Sequence, residues 1–206
     1  MTNISQNIAN SLEVLVPFTR NYAKEIHASE ISKVLSLPQR TAARKLEVLQ
    51  KTHLLNYKRV GKNKSFFFDL NLVSSFSLLE MVECYKEIAF LLKYTQIGLL
   101  LNELAKDYSI LIFGSYAKER AKENSDVDLV IFARKTSKIK EIITRYPFEV
   151  NIHYITLSLF EKRLKTGWPL AKEIAMDHIL FGEKEKVINP IRYTERQHQK
   201  IMTGVL

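Results

Sequence analysis

The 206-residue chain has a single cysteine, Cys84. An internal disulfide is therefore excluded, and the usage suits a reducing compartment. The apolar helical pattern around Cys84 leads us to expect a buried, inert thiol. Long apolar runs are also lacking. The stretch IAFLLKYTQIGLLL is broken by Lys93 and Gln96 and is too short to span a bilayer. The first residues, MTNISQNIANSLEVL, show no basic segment followed by an apolar core. No signal peptide and no membrane association are expected, and the expected location is the cytoplasm. Repeats and low-complexity tracts are absent.

Acidic residues are in short supply: 22 Asp+Glu stand against 31 Lys+Arg, a formal net charge of +9. Such an excess favours a polyanionic partner. The 46% hydrophobic content suits a packed core rather than disorder. The excess is uneven. Residues 1–72 hold 11 basic against 5 acidic residues, while residues 73–206 hold 20 against 17. Two modules are implied.

The first module shows three helical patterns. SLEVLVPFTR contains Pro17, which is expected to interrupt a helix. ASEISKVLSL puts Ile31, Val34 and Leu35 on one face. Pro38 then suits the first turn of QRTAARKLEVLQK, where Leu46 and Leu49 share a face. Two β-rich runs follow, LLNYKRV and SFFFDL, around a turn at Gly61 and Asn63, which is a hairpin signature. Arg40 and Arg44 lie four apart and so project from one helix face. Gln39 and Lys45 are polar neighbours on the same helix, and Lys58, Arg59, Lys62 and Lys64 crowd the hairpin tip.

Three helices and a basic hairpin over roughly residues 12–70 resemble the winged helix–turn–helix family. The resemblance implies DNA as a partner, with the third helix in the major groove and the hairpin on the backbone. Arginines suit guanine edges and lysines suit phosphates. A protein–protein module with a solvated basic face is the other reading of the same residues.

Residues 73–93 read as a helical connector, jointed near Lys93-Tyr94-Thr95 to a second helix. Leu78, Leu79, Met81, Val82, Ile88, Ala89, Leu91 and Leu92 exceed one narrow stripe, so the helix is buried or paired. Packing between modules and a homodimer interface are both consistent with that.

Residues 94–206 carry the chemistry. Ser109–Phe113 reads as a buried strand ended by Gly114-Ser115. Ser125-Asp126-Val127-Asp128 opens a second strand. Alternation puts Asp126 and Asp128 on one face, about 7 Å apart along the strand, where two carboxylates can share divalent metal ions. Gly114 and Ser115 supply close backbone approach and donors for a phosphate, and Lys118 adds a cation nearby.

This stretch resembles the signature of the nucleotidyltransferase fold related to DNA polymerase β, above all its minimal members. Gly114, Ser115, Ala117, Lys118, Ser125, Asp126, Asp128 and Leu129 match the family pattern at its spacing. Glu119 departs from it, since the family usually has glycine there. The resemblance implies two Mg²⁺ ions on Asp126 and Asp128, a nucleoside triphosphate held by Gly114 and Ser115, and an acceptor hydroxyl that attacks the α-phosphorus. It also implies a third carboxylate on the next strand. There the chain reads Phe148-Glu149-Val150-Asn151-Ile152-His153, with Asn151 in the expected place and Glu149 the only acid. Either Glu149 serves in a shifted register, or the third ligand is missing.

His153 lacks a partner cluster and reads as structural. Asp177-His178 reads as a cap or surface pair. Trp168 and Pro169 read as packing anchors. Helices are expected at Leu157–Lys165 and Pro169–Met176, then a strand, a turn and an extended tail.

The expected class is α+β: a winged helix–turn–helix over 1–72, a helical connector over 73–93, and an α/β nucleotidyltransferase fold with a small mixed sheet over 94–206. The implied activity is Mg²⁺-dependent transfer of a nucleoside monophosphate to an acceptor hydroxyl. Minimal relatives include antitoxins that modify a toxin partner. The rival is a DNA-binding regulator whose transferase domain retains nucleotide binding with weakened catalysis.

Overall fold

The computed structural model describes residues 10–203, with side chains described through residue 197. The first nine residues of the expected 1–72 module lie outside the described residues. Two compact units divide the chain: Met1–Val82 with Glu195–Leu206, and Glu83–Thr194. The end of the C-terminal helix therefore groups with the first unit, an association between distant segments of the chain.

The first unit opens with a 3-10 helix, Leu12–Arg20, with Pro17 inside it and buried. Strand β1, Ile26–His27, leads into helix α1, Ala28–Leu35. Glu30 closes the start of this helix by accepting from the His27 amide at 3.2 Å. Ser36 ends α1 in the left-handed region at φ 52°, and Pro38 caps helix α2, Gln39–Lys51. Strands β2, Asn56–Val60, and β3, Asn63–Phe67, form the expected hairpin across Gly61-Lys62. Gly61 takes φ 61°, a conformation glycine adopts without steric penalty. The two-residue β1, too short to be visible in the sequence pattern, extends the sheet to the order β1-β3-β2, all antiparallel.

Leu15, Phe18, Tyr22, Ile26, Ile31, Leu46, Leu49, Phe66 and Phe68 form the buried interior of this unit. Phe18 meets Phe68 edge to face at 5.4 Å. Val34, expected on the inner face of α1, is 59% exposed. Glu195 also belongs to this unit, and its carboxylate accepts from the Tyr22 amide at 2.5 Å.

Helix α3, Val73–Lys93, contains the boundary between the units. Leu78, Leu79, Val82 and Phe90 are buried, whereas Met81, Ile88 and Leu92 are exposed. Cys84 lies on the exposed side, against the expectation of burial. The sequence showed that apolar residues encircle this helix, but not which of them find a neighbour. Helix α4, Thr95–Leu104, follows after a one-residue joint at Tyr94, where expected.

The second unit is a four-stranded mixed sheet, order β6-β5-β4-β7. Its strands are β4 Ile110–Ile112, β5 Val127–Ile131, β6 Val150–Tyr154 and β7 Ile179–Phe181. A four-residue turn of helix, α5 Gly114–Ala117, follows β4, and α6, Ser137–Ile143, connects the parallel pair β5 and β6. Alternation sends Val127, Leu129 and Ile131 to one face, where they pack with Ile110, Ile112 and Phe181 against α4 and α6. The opposite face carries Asp126, Asp128 and Val130. Helices α7, Leu157–Lys165, and α8, Pro169–Met176, have the expected bounds, and Phe160 of α7 meets Phe132 edge to face at 5.3 Å.

The expected extended tail is instead helix α9, Lys184–Thr203. Pro190 and the run Glu-Lys-Glu-Lys disguise it in the sequence. Val187, Ile188 and Ile191 are buried at helical spacing, and this burial stabilises a helix that propensity alone disfavours. Of the cap and the surface pair expected at Asp177-His178, His178 takes the first role: it is buried against the end of α8. Its Nδ1 lies 2.9 Å from the Ala175 carbonyl, and its Nε2 lies 3.3 Å from Glu83. Burial raises the Glu83 carboxyl, but Lys86 and His178 outweigh it and lower it to about 2.

Candidate active site

Asp126 immediately precedes β5, and Asp128 lies within it, so the pleat presents both carboxylates on one face. Two bonds prolong the ladders to this end of the sheet. The Val127 amide donates to the Glu149 carbonyl at 2.9 Å, and the Phe113 amide donates to the Asp128 carbonyl at 3.2 Å. The loop before Asp126 is also held. The Lys122 amide donates to Ser125 Oγ at 2.8 Å, and Tyr116 donates its hydroxyl to the Ser125 carbonyl at 3.3 Å. Burial, Tyr94 and Asp126 together raise the Tyr116 phenol above its ordinary value.

Gly114 is pressed against Asp128. A methyl group at its α-carbon would stand 3.1 Å from Asp128 Cγ and overlap its Oδ2 outright. Its φ of 69° lies in the left-handed region as well. Both facts call for glycine, and together they explain a Gly-Ser pair at the end of β4. The next residue, Ser115, is the second of the α5 turn and is half-buried.

The parallel register sets Asp128 directly across from Asn151. The Asn151 amide donates from Nδ2 to Asp126 Oδ2 at 3.4 Å and to Asp128 Oδ1 at 3.3 Å. Glu149, one step before β6, is level with Asp126 but exposed. Among the described residues, no group of three His, Cys, Asp or Glu side chains gathers at metal-holding distance. The third position beside the two aspartates is therefore occupied by a neutral amide, and Glu149 is not drawn into a carboxylate cluster.

Lys118 caps α5, but its ammonium pairs with Glu173 of α8 at 2.6 Å. Fifty-five residues separate the two, and nothing in the sequence pattern signals the pairing. Glu119 is exposed and adopts φ 55°. That left-handed backbone supplies a physical reason for glycine at this position, because a side chain there is sterically disfavoured. His153 is exposed and meets the Phe113 ring at 5.6 Å.

The donor set fits hard divalent cations. Asp126 and Asp128 offer oxygen ligands on one face, and among the described residues neither forms an ion pair.

In the first unit, the eight expected nucleic-acid contacts fall into two groups. Lys45 pairs with Glu13, Lys58 with Glu25 at 2.7 Å, and Lys64 with Glu47 at 3.1 Å. Lys64 also sits 4.9 Å over the Tyr57 ring. Gln39, Arg40, Arg44, Arg59 and Lys62 are exposed. Among the described residues, Arg40, Arg44, Arg59 and Lys62 have no ion pair.

Residues 97–192 match the family model described as Nucleotidyltransferase domain. The match covers a little less than half of the chain and contains Gly114, Ser115, Lys118, Asp126, Asp128, Glu149 and Asn151, but none of the eight residues of the first unit. No curated protein matches, and no solved structure matches. No helix among the described residues is long and apolar enough to cross a membrane.

Proposed function

We propose that the second unit transfers a nucleoside monophosphate from a nucleoside triphosphate to an acceptor hydroxyl, with Mg²⁺ as cofactor. The observation that carries the reading is the packing of Gly114 against Asp128, with Asp126 on the same face and Asn151 across the ladder. Asp126 and Asp128 would hold the metal. Divalent ions bound there supply charge neutralisation and orientation of the triphosphate. Gly114 and Ser115 hold its β- and γ-phosphates through backbone amides and the serine hydroxyl. In the transfer, the acceptor oxygen bonds to the α-phosphorus, the bond to the β-bridging oxygen breaks, and pyrophosphate leaves. The hydroxyl proton passes to a carboxylate or to water, because the Asn151 amide cannot take it.

The first unit is proposed as a winged helix–turn–helix that binds DNA. Its hairpin and the exposed Arg40, Arg44, Arg59 and Lys62 support that reading. Asn151 also favours a second reading: a DNA-binding regulator in which the second unit senses a metal–nucleotide and turns it over slowly or not at all.

Calorimetry with ATP or GTP and Mg²⁺, on wild type and on Asp126→Ala/Asp128→Ala, tests the shared premise. Absence of metal-dependent binding to wild type rejects both readings. Transfer of labelled α-phosphate onto cell extract then separates enzyme from sensor.

A further inference from the structure

Beyond the two aspartates, the same sheet face leads into a second concavity. Val130 lies two residues after Asp128 on β5, and His153 two residues after Asn151 on β6, each roughly 7 Å further along the strand. Both line a cavity of about 300 Å³, completed by Phe160 of α7, Trp168 in the turn, and Leu170 and Ile174 of α8. This volume is at the lower end of the range for small-molecule pockets. Aromatic and aliphatic walls of this kind suit a flat, unstacked ring.

Trp168 is shared with a neighbouring open groove formed by Leu159, Lys162, Arg163, Thr166, Gly167 and Pro169. None of those residues is acidic. The Arg163 guanidinium lies 4.4 Å over the indole. The nearby Glu161 is tied to Lys165 at 2.6 Å, and among the described residues Lys162 forms no ion pair. Gly167 turns at φ 73°, with Lys172 Nζ 3.2 Å from where a β-carbon would stand. The apolar cavity thus adjoins, at Trp168, a groove whose charged lining residues are Lys162 and Arg163, which form its cationic rim.

We propose that the Trp168 cavity and its rim seat the terminal nucleotide of a single-stranded polynucleotide acceptor, with its base in the cavity and its phosphate on Lys162 and Arg163. This rests on the transfer reading above. There, the donor triphosphate lies at Gly114 and Ser115, beside Asp128. A separate group of cations beyond Val130 and His153 therefore serves a different phosphate. A stacking surface beside arginine is how proteins hold unpaired strands. The cavity lies further along the same two strands from Asp128 and Asn151.

Trp168 is the only tryptophan in the chain, so its fluorescence reports this seat directly. The experiment titrates full-length protein, in EDTA, with a 5′-phosphorylated adenylate hexamer. The expected result is saturable quenching without metal. Lys162→Ala/Arg163→Ala should weaken it about tenfold or more, with a shallower salt dependence. Trp168→Phe, followed by calorimetry, should retain binding because a ring remains. Quenching by ATP that needs Mg²⁺ and disappears in Asp126→Ala/Asp128→Ala, with none by the hexamer, would make the cavity the donor's base seat and overturn the proposal. No hexamer response while Mg–ATP still binds by calorimetry also overturns it and leaves the transfer reading intact. Hexamer binding without any Mg–ATP binding overturns the transfer reading instead.

Discussion

Asn151 stands directly across the β5–β6 ladder from Asp128, and its amide bridges Asp128 and Asp126 at 3.3 and 3.4 Å. A neutral donor therefore occupies the position from which a third carboxylate could serve as metal ligand or base. Asn151→Asp is nearly isosteric and restores that charge. The variant is expected to raise α-phosphate transfer by about 10²-fold or more, a common yield of a positioned base. Glu149→Gln should change the rate little. A large loss from Glu149→Gln, measured with the same labelled substrate, would return the role to Glu149.

Gly114→Ala tests the contact with Asp128. The added methyl overlaps the carboxylate and forces a left-handed alanine, at about 1–2 kcal/mol from the backbone alone. Metal-dependent nucleotide binding is expected to be abolished. Gly61→Ala is the control: it has a similar φ, but nothing lies within 4 Å of the added atom. It should cost stability without affecting nucleotide binding. Thermal melting and calorimetry on both variants separate strain from obstruction.

Glu119→Gly removes a side chain from a left-handed position and a negative charge from the loop before Asp126. Stability should rise by about 0.5–1 kcal/mol in urea titration, the steric relief exceeding the added chain entropy. Triphosphate affinity should increase as well. A fall in both would show that Glu119 itself contributes to the loop.

Basic residues in the first unit should contribute unequally to DNA binding. Arg44→Ala is expected to cost about 1–3 kcal/mol if it reads a base edge, and Lys62→Ala should reduce the salt slope by about one contact. Lys64→Ala should matter less, because Glu47 and Tyr57 already engage that ammonium. Titrations of full-length protein against duplex DNA at several salt concentrations check the order. Equal losses at all three positions would contradict it.

The buried Glu83 and the half-buried Glu195 give stability opposite pH dependences. Burial raises Glu195 to about 7, although the Tyr22 and Ala23 amides oppose the shift. The folded state then binds more protons than the unfolded chain between the ordinary glutamate value, near 4.5, and about 7. Stability should fall as pH rises through that window, and Glu195→Gln should flatten the slope. Glu83, lowered to about 2, contributes stability above 4.5 that is lost as pH falls toward 2. Urea midpoints from pH 3 to 8, for wild type and Glu195→Gln, check both signs.

The chain determined by itself whatever depends on local spacing. Helix α7 and α8 bounds, the one-residue joint at Tyr94, the hairpin at Gly61 and the alternation of Asp126 with Asp128 were legible, because periodicity and turn chemistry act over a few residues. Tertiary structure decided what depends on partners distant in sequence. It buried Val187, Ile188 and Ile191, so that a segment resembling a tail became helix α9. It left Cys84 exposed on a helix whose apolar residues alone could not show which side is covered. It tied Lys118 to Glu173, and it set Asn151 rather than Glu149 against the aspartates. Register between strands is fixed by packing across the sheet, and a one-strand pattern carries no information about its neighbour.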